Sequence, residues 1–126
     1  MSYWTHVAAI FRVDCIRAIM PEPDFDELFG RECLWESPEE TWDDTTEHPD
    51  RYLPMGSEGS LHKSVWTNPD RCEMAAYTVS VFGDLRDVSE PDGIERWFRD
   101  CCSKAWIRQA VCQIECEYGE TKVLTN

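Results

Sequence analysis

The stretch Thr5-His6-Val7-Ala8-Ala9-Ile10-Phe11-Arg12-Val13-Asp14-Cys15 decides the fold class. Val7, Ala9, Phe11, Val13 and Cys15 occupy every second position, and His6, Ala8, Ile10, Arg12 and Asp14 alternate with them. A period of two, with β-branched and aromatic residues on one side, marks a strand that buries one face. Met20-Pro21-Glu22-Pro23 ends it, since proline lacks the N–H a ladder needs. Working outward, Leu61 to Trp66 alternates in the same way. Met74 to Phe82, with Tyr77, Thr78, Val79, Val81 and Phe82, is the best strand pattern in the chain. Thr67 to Glu73, which contains Asn68-Pro69-Asp70, reads as the turn that closes a hairpin between these two strands. Trp106 to Tyr118 is a last long strand, with Ala110, Cys112, Ile114 and Cys116 on one face and Gln109, Gln113, Glu115 and Glu117 on the other. Tyr118-Gly119-Glu120-Thr121 turns it towards a short terminal strand.

Two stretches read as helices. In Asp24 to Phe29, Asp24 is a good N-cap, Phe25, Leu28 and Phe29 form an apolar stripe, and Gly30 is the stop. After Gly83 to Val88, Ser89 is a second N-cap, with Asp92 completing an approximate capping box. Ile94, Trp97, Phe98, Cys101 and Ala105 then follow the three-and-four spacing of a buried helix face. The order strand, helix, strand, strand, helix, strand predicts an α+β protein of the ferredoxin-like βαββαβ type. In it an antiparallel sheet carries its helices on one face and leaves the other to solvent. The length of 126 residues fits a single domain over residues 1–126. Residues of about 32–53 form an acidic loop insertion, with a short strand at Cys33-Leu34-Trp35.

The charge is concentrated in one place. The chain has 12 Lys and Arg against 25 Asp and Glu, a formal net charge of −13. Between Glu22 and Asp50 stand 12 acids, with Arg31 the only Lys or Arg, so these 29 residues carry a net of −11 and the other 97 only −2. So acidic a chain is a poor direct ligand for nucleic acid, which needs a basic footprint. No apolar run approaches the roughly 20 residues that span a bilayer. The start, Met1-Ser2-Tyr3-Trp4-Thr5-His6, lacks the basic region of a signal peptide. Seven cysteines, an odd number without a C-x-x-C pair, fit reduced thiols and a cytoplasmic setting better than a disulfide framework.

Candidate chemistry is sparse. His6, His48 and His62 are the only histidines, and nothing local supports a nucleophile pair of Cys15 or Cys72 with His62. Gly56-Ser57-Glu58-Gly59-Ser60 offers amides and hydroxyls to an anion but lacks the Gly-Lys-Ser/Thr of a P-loop. Glu39-Glu40 with Asp43-Asp44 lacks the spacing and central glycine of an EF-hand. No catalytic residue, metal site or cofactor is expected.

Two pieces carry a resemblance: Gly56-Ser57-Glu58-Gly59-Ser60-Leu61 and Tyr77-Thr78-Val79-Ser80-Val81-Phe82-Gly83-Asp84-Leu85-Arg86-Asp87. With Trp97-Phe98 and Ile107-Arg108, they resemble small uncharacterised acidic proteins of bacteriophages and prophages, over roughly the last 70 residues. The resemblance implies a host-takeover or anti-defence context, anti-CRISPR proteins among them, inside the host cell cytoplasm. The reading that follows is a non-enzymatic phage-type inhibitor or adaptor. Its segment Glu32–Asp50 would dock, in place of phosphate, on a basic nucleic-acid-handling protein such as a CRISPR-Cas effector. Glu36, Glu39, Glu40, Asp43 and Asp44 supply the charge, and Trp35 and Trp42 the anchors. The alternatives are a binder of a small nucleotide signal at the Gly56–Ser60 turn, or a structural phage protein that self-associates through sheet edges.

Overall fold

The computed structural model describes residues 3–16, 23–32, 52–67, 74–88, 91–104 and 107–126. Five strands appear in chain order: β1 (Trp4–Ile16), β2 (Leu61–Thr67), β3 (Met74–Arg86), β4 (Ile107–Cys116) and β5 (Thr121–Thr125). Two helices accompany them, α1 (Phe25–Phe29) and α2 (Pro91–Ser103). The strands form one sheet in the order β2-β3-β1-β4-β5, with every neighbouring pair antiparallel.

β1 lies at the centre, as its alternation requires. Val7, Ala9, Phe11, Val13 and Cys15 are all at most 3% exposed. The register sets Phe11 beside Val79 on β3 and Ala110 on β4, and Ala9 beside Val81 and Cys112, so one face is apolar across three strands. α2 packs on this face through Ile94, Phe98 and Cys101, with Trp97 half-buried, at the spacing of an amphipathic helix. Phe11 is the hub. Its ring centroid is 4.7 Å from Phe29, 5.5 Å from Phe98 and 5.7 Å from Trp97, the last edge-on. The Trp97 indole also donates to the Phe29 carbonyl at 2.7 Å, which ties α2 to the end of α1.

The ferredoxin-like expectation is corrected here. The described chain is mostly a five-stranded antiparallel sheet, and its helices do not build a two-helix layer across one face. α1 has 5 residues and α2 has 13. At about 1.5 Å per residue α1 is only about 7.5 Å long, a single apolar corner rather than a covering helix. Asp24 caps it, accepting from the amides of Asp26 and Glu27 at 3.1 and 3.2 Å, and the chain leaves it at Gly30. β5 is the fifth strand, paired along β4 from Glu115↔Thr121 to Val111↔Thr125. β3 also runs on past Gly83 to Arg86, where sequence periodicity ends at Phe82. Its extension is held on one side by β1, through Trp4↔Arg86. On the other side, Ser57 donates its amide to the Arg86 carbonyl at 2.8 Å, and the Arg86 amide donates to Glu58 at 3.0 Å. The Asn68-Pro69-Asp70 turn, the Ser89 cap and the Cys33–Trp35 strand lie outside the described residues.

Phe11 has no exposed surface and three aromatic neighbours, so its truncation leaves a cavity under both helices. Phe11→Ala should lower unfolding stability by about 3–5 kcal/mol, read as a shift in the urea midpoint. A loss under about 1 kcal/mol would show that the hub is not the centre of the core.

Candidate functional site

Alternation that sends the odd residues of β1 inward sends His6, Ala8, Ile10 and Arg12 outward, onto the face that carries no helix. The register aligns them in rows. The first row is Asp84, His6, Glu115 and Thr121. The second is His62, Phe82, Ala8, Gln113 and Val123. The third is Ser64, Ser80, Ile10, Val111 and Thr125, and the fourth is Trp66, Thr78, Arg12 and Gln109. A solvated sheet face is ordinarily polar. This one exposes Ile10 (50%), Val111 (40%), Phe82 (48%), Val123 (63%) and Trp66 (57%). The two middle rows contain no Asp, Glu, Lys or Arg. Sequence periodicity places Ile10 on the outer side of β1 but does not bring it beside Val111, because register is a non-local property. The one local signal was apolar residues standing at positions the pattern assigns to solvent.

The charges sit at the two ends of the face. At one end His6 Nδ1 lies 2.5 Å from Asp84 Oδ1, with Glu115 across from His6 on β4. The Asp84 hydrogen bond raises the His6 pKa above its ordinary 6.5 against an opposing desolvation effect, with further support from the fields of Asp84, Glu115 and Glu117. At the other end Arg12 Nε and Arg108 Nη1 reach the two oxygens of Asp14 at 3.3 and 3.2 Å. A shallow trough lies at each end. One, of about 400 Å³, is lined by His6, Ala8, Phe82, Asp84 and Gln113. The other, of about 680 Å³, is lined by Ile10, Arg12, Thr78, Arg108 and Gln109. On the opposite side of the sheet a cleft of about 700 Å³ runs between α2 and Tyr52–Met55. Trp97 and Lys104 border it but are committed to the Phe29 and Leu28 carbonyls, at 2.7 and 2.8 Å.

The residues singled out from the sequence, Trp35, Glu36, Glu39, Glu40, Trp42, Asp43 and Asp44, lie outside the described residues. Where their segment is rooted is described. Arg31 and Tyr52 form a parallel bridge, Leu53 donates its amide to the Arg31 carbonyl at 3.0 Å, and Leu53 is buried in the core. The chain therefore leaves and returns at one place. Gly30 allows this approach: with φ at +109°, its missing side chain would stand 2.8 Å from the backbone of Tyr52 and Leu53. The carboxylates nearest this root serve the fold. Lys63, an inward-facing residue of β2, pairs with Asp26 and donates to the Gly30 carbonyl at 2.7 Å. Glu32 lies 2.8 Å from His62 and accepts the Lys63 amide.

The other chemical candidates fall into place as structure. At the Gly56–Ser60 turn, the Ser57 amide and hydroxyl both bond the Arg86 carbonyl. Cys15, Cys101 and Cys112 are buried free thiols. Burial pushes Cys101 up to about 12 and Cys112 up to about 11. Among the described residues no three His, Cys, Asp or Glu side chains gather around a common point where a metal ion could be held. No helix among them is long and apolar enough to cross a membrane. The chain matches no family model, no curated protein and no solved structure.

Two outcomes follow from these environments. Iodoacetamide at neutral pH should leave Cys101 and Cys112 unmodified in the folded protein and label both in guanidinium, as peptide mass spectrometry would read. Rapid native labelling of either would refute their inert burial. For His6, the folded pKa is raised, so its pairing stabilises the protein below the ordinary value of 6.5 and that contribution is lost as pH rises through the higher folded value. The NMR titration midpoint of His6 should lie above 6.5 and fall in Asp84→Asn, with the two proteins' stabilities converging at alkaline pH.

Proposed function

We propose that the protein is a non-enzymatic inhibitor or adaptor that binds a basic, nucleic-acid-handling partner through its acidic loop. The observation that carries this reading is the division of charge. Residues 33–51 hold seven carboxylates against Arg51 alone. Elsewhere many of the described acids have a basic neighbour: Asp14 has Arg12 and Arg108, Asp26 has Lys63, Glu58 has Arg86, and Glu95 has Lys122. The residues that flank this stretch are brought together by the parallel bridge of Arg31 to Tyr52. Such a concentration of negative charge steers association with a positive groove and competes with phosphate there. Trp35 and Trp42 supply the large apolar surface that turns an encounter into a held complex. The phage anti-defence setting belongs to the same proposal.

The test is a four-fold charge reversal, Glu39→Lys, Glu40→Lys, Asp43→Lys and Asp44→Lys. Partner capture by the intact protein at low salt should disappear in the variant, and for the wild type should disappear at about 0.5 M salt. The melting transition should stay or rise slightly, because like charges within one loop oppose compaction. Capture indifferent to both the substitutions and the salt would reject docking through acidic residues.

A further inference from the structure

We infer that the helix-free face of the sheet is a self-docking surface, on which two copies of the chain pack face to face about a two-fold axis running across the strands. This inference is independent of the acidic loop. The loop's root is anchored through Phe29 and Leu53 in the core on the other side of the sheet, and it touches this face only at the β2 edge, where Glu32 meets His62.

The composition of the face comes first. Its middle rows place Phe82 beside Ala8, and Ile10 beside Val111, with Val123 next in line beyond Gln113. The other members of these rows are Ser, Thr, Gln and one His, all uncharged when the His is neutral. Charged side chains appear only in the outer rows. An apolar, charge-free centre with charge at the margin is how a protein interface is laid out, whereas a face built for water alternates charges throughout. Size is adequate. Five strands spaced about 4.8 Å apart, over seven residues rising about 3.3 Å each, offer roughly 550 Å² per copy, or about 1,100 Å² for a pair. That clears the total of about 1,000 Å² that a specific interface needs.

The charge pattern then selects the occupant and the orientation. One end of the face is acidic, with Asp84 and Glu115 flanking His6. The other end carries Arg12 and Arg108, joined by a single Asp14. If the two-fold axis ran along the strands, like ends would meet and Asp84 and Glu115 would face their own copies. With the axis across the strands, the acidic end of each copy covers the basic end of the other. The pattern is thus its own complement, the requirement for an isologous dimer. The same rotation sets the third row over the second, so that Ile10 of one copy meets Ala8 of the other. There it enters the trough of about 400 Å³ between Phe82 and Gln113. Arg12 follows it towards Asp84 and Glu115 of the second copy. A large apolar residue over a small one, beside opposite charges, gives the face shape as well as sign.

The test uses the full chain. Sedimentation velocity across micromolar concentrations should show a species of twice 14.7 kDa. Ile10→Lys should convert it to the monomer with an unchanged circular dichroism spectrum. Arg12→Glu and Glu115→Arg, both on exposed side chains, should each weaken the dimer by about tenfold or more. Mixed together, these two variants should form a heterodimer, because every Arg12–Glu115 contact across the axis is then restored with opposite signs. The charge swaps carry the test even if Ile10→Lys fails to fold. A wild-type chain that stays monomeric would overturn the proposal, including one that stays so while holding a different protein on this face. So would a dimer that ignores Arg12→Glu and Glu115→Arg, or two variants that fail to pair on mixing.

Discussion

A single strand bonded on both sides and divided strictly into two faces governs the rest of the molecule. β1 pairs with β3 along its whole length and with β4 over most of it. Every odd residue from Thr5 to Cys15 is therefore driven to the same face and buried to 3% exposure or less. A slip of one residue would exchange that set for His6, Ala8, Ile10, Arg12 and Asp14, and would put charge into the core. The register is thus held by burial far more than by hydrogen bonds, which a slipped ladder would still make. Phe11 at the middle of this strand is where both helices meet, through Phe29, Trp97 and Phe98. The acidic loop depends on the same floor at one remove, since Leu53 at its return belongs to the core that Phe11 centres.

This dependence separates two duties that carboxylates perform in one stretch of chain. Asp24, Asp26 and Glu32 lie within the acidic run Glu22–Asp50, yet each holds the fold together. Asp24 caps α1, Asp26 pairs with Lys63, and Glu32 meets both His62 and the β2 backbone. Lys63 makes the point most clearly. A lysine on the inward side of a strand is costly to bury unless its charge is answered. Asp26 and the Gly30 carbonyl answer it there. Some of the acidity is therefore the counter-charge for one cation on the inward side of the sheet. The excess begins only beyond Glu32, and that part of the run is what the proposed partner would meet.

The parts of this fold that local pattern encodes were legible in the sequence. β1 and β4 show period two, α2 shows its three-and-four spacing, and Asp24 stands where a short helix needs a cap. What eluded that reading depends on partners distant in sequence. β3 continues through Gly83 to Arg86 because Trp4 and residues 57–58 supply a ladder there. The helix layer was overestimated because an apolar triplet, Phe25, Leu28 and Phe29, has the same spacing in one short turn as in a long helix. Of the candidate site, the charge asymmetry was visible as composition. The pinning of its two ends was not, because the bridge of Arg31 to Tyr52 joins residues on either side of the whole loop. The make-up of the open face was not legible for a simpler reason: alternation says which residues point outward, and says nothing of which outward residues become neighbours.

The geometry also decides between the two ways a sheet can associate. Edge-to-edge pairing needs a free row of amides and carbonyls. At the β2 edge the Lys63 amide is already given to the Glu32 carboxylate. At the β5 edge the strand is five residues long, and Arg99 donates to its Thr125 carbonyl at 2.6 Å. Beyond it, Asn126 folds back so that its side chain accepts the Ala110 amide at 2.9 Å. Both edges are thus partly occupied by the chain's own groups, as edges that avoid pairing are. The face between them has the opposite character: its middle rows hold apolar residues among uncharged polar ones, and its Asp, Glu and Arg side chains stand at the ends. A chain that guards its edges and leaves its face uncovered is built to meet another surface broadside, through side chains rather than through the backbone.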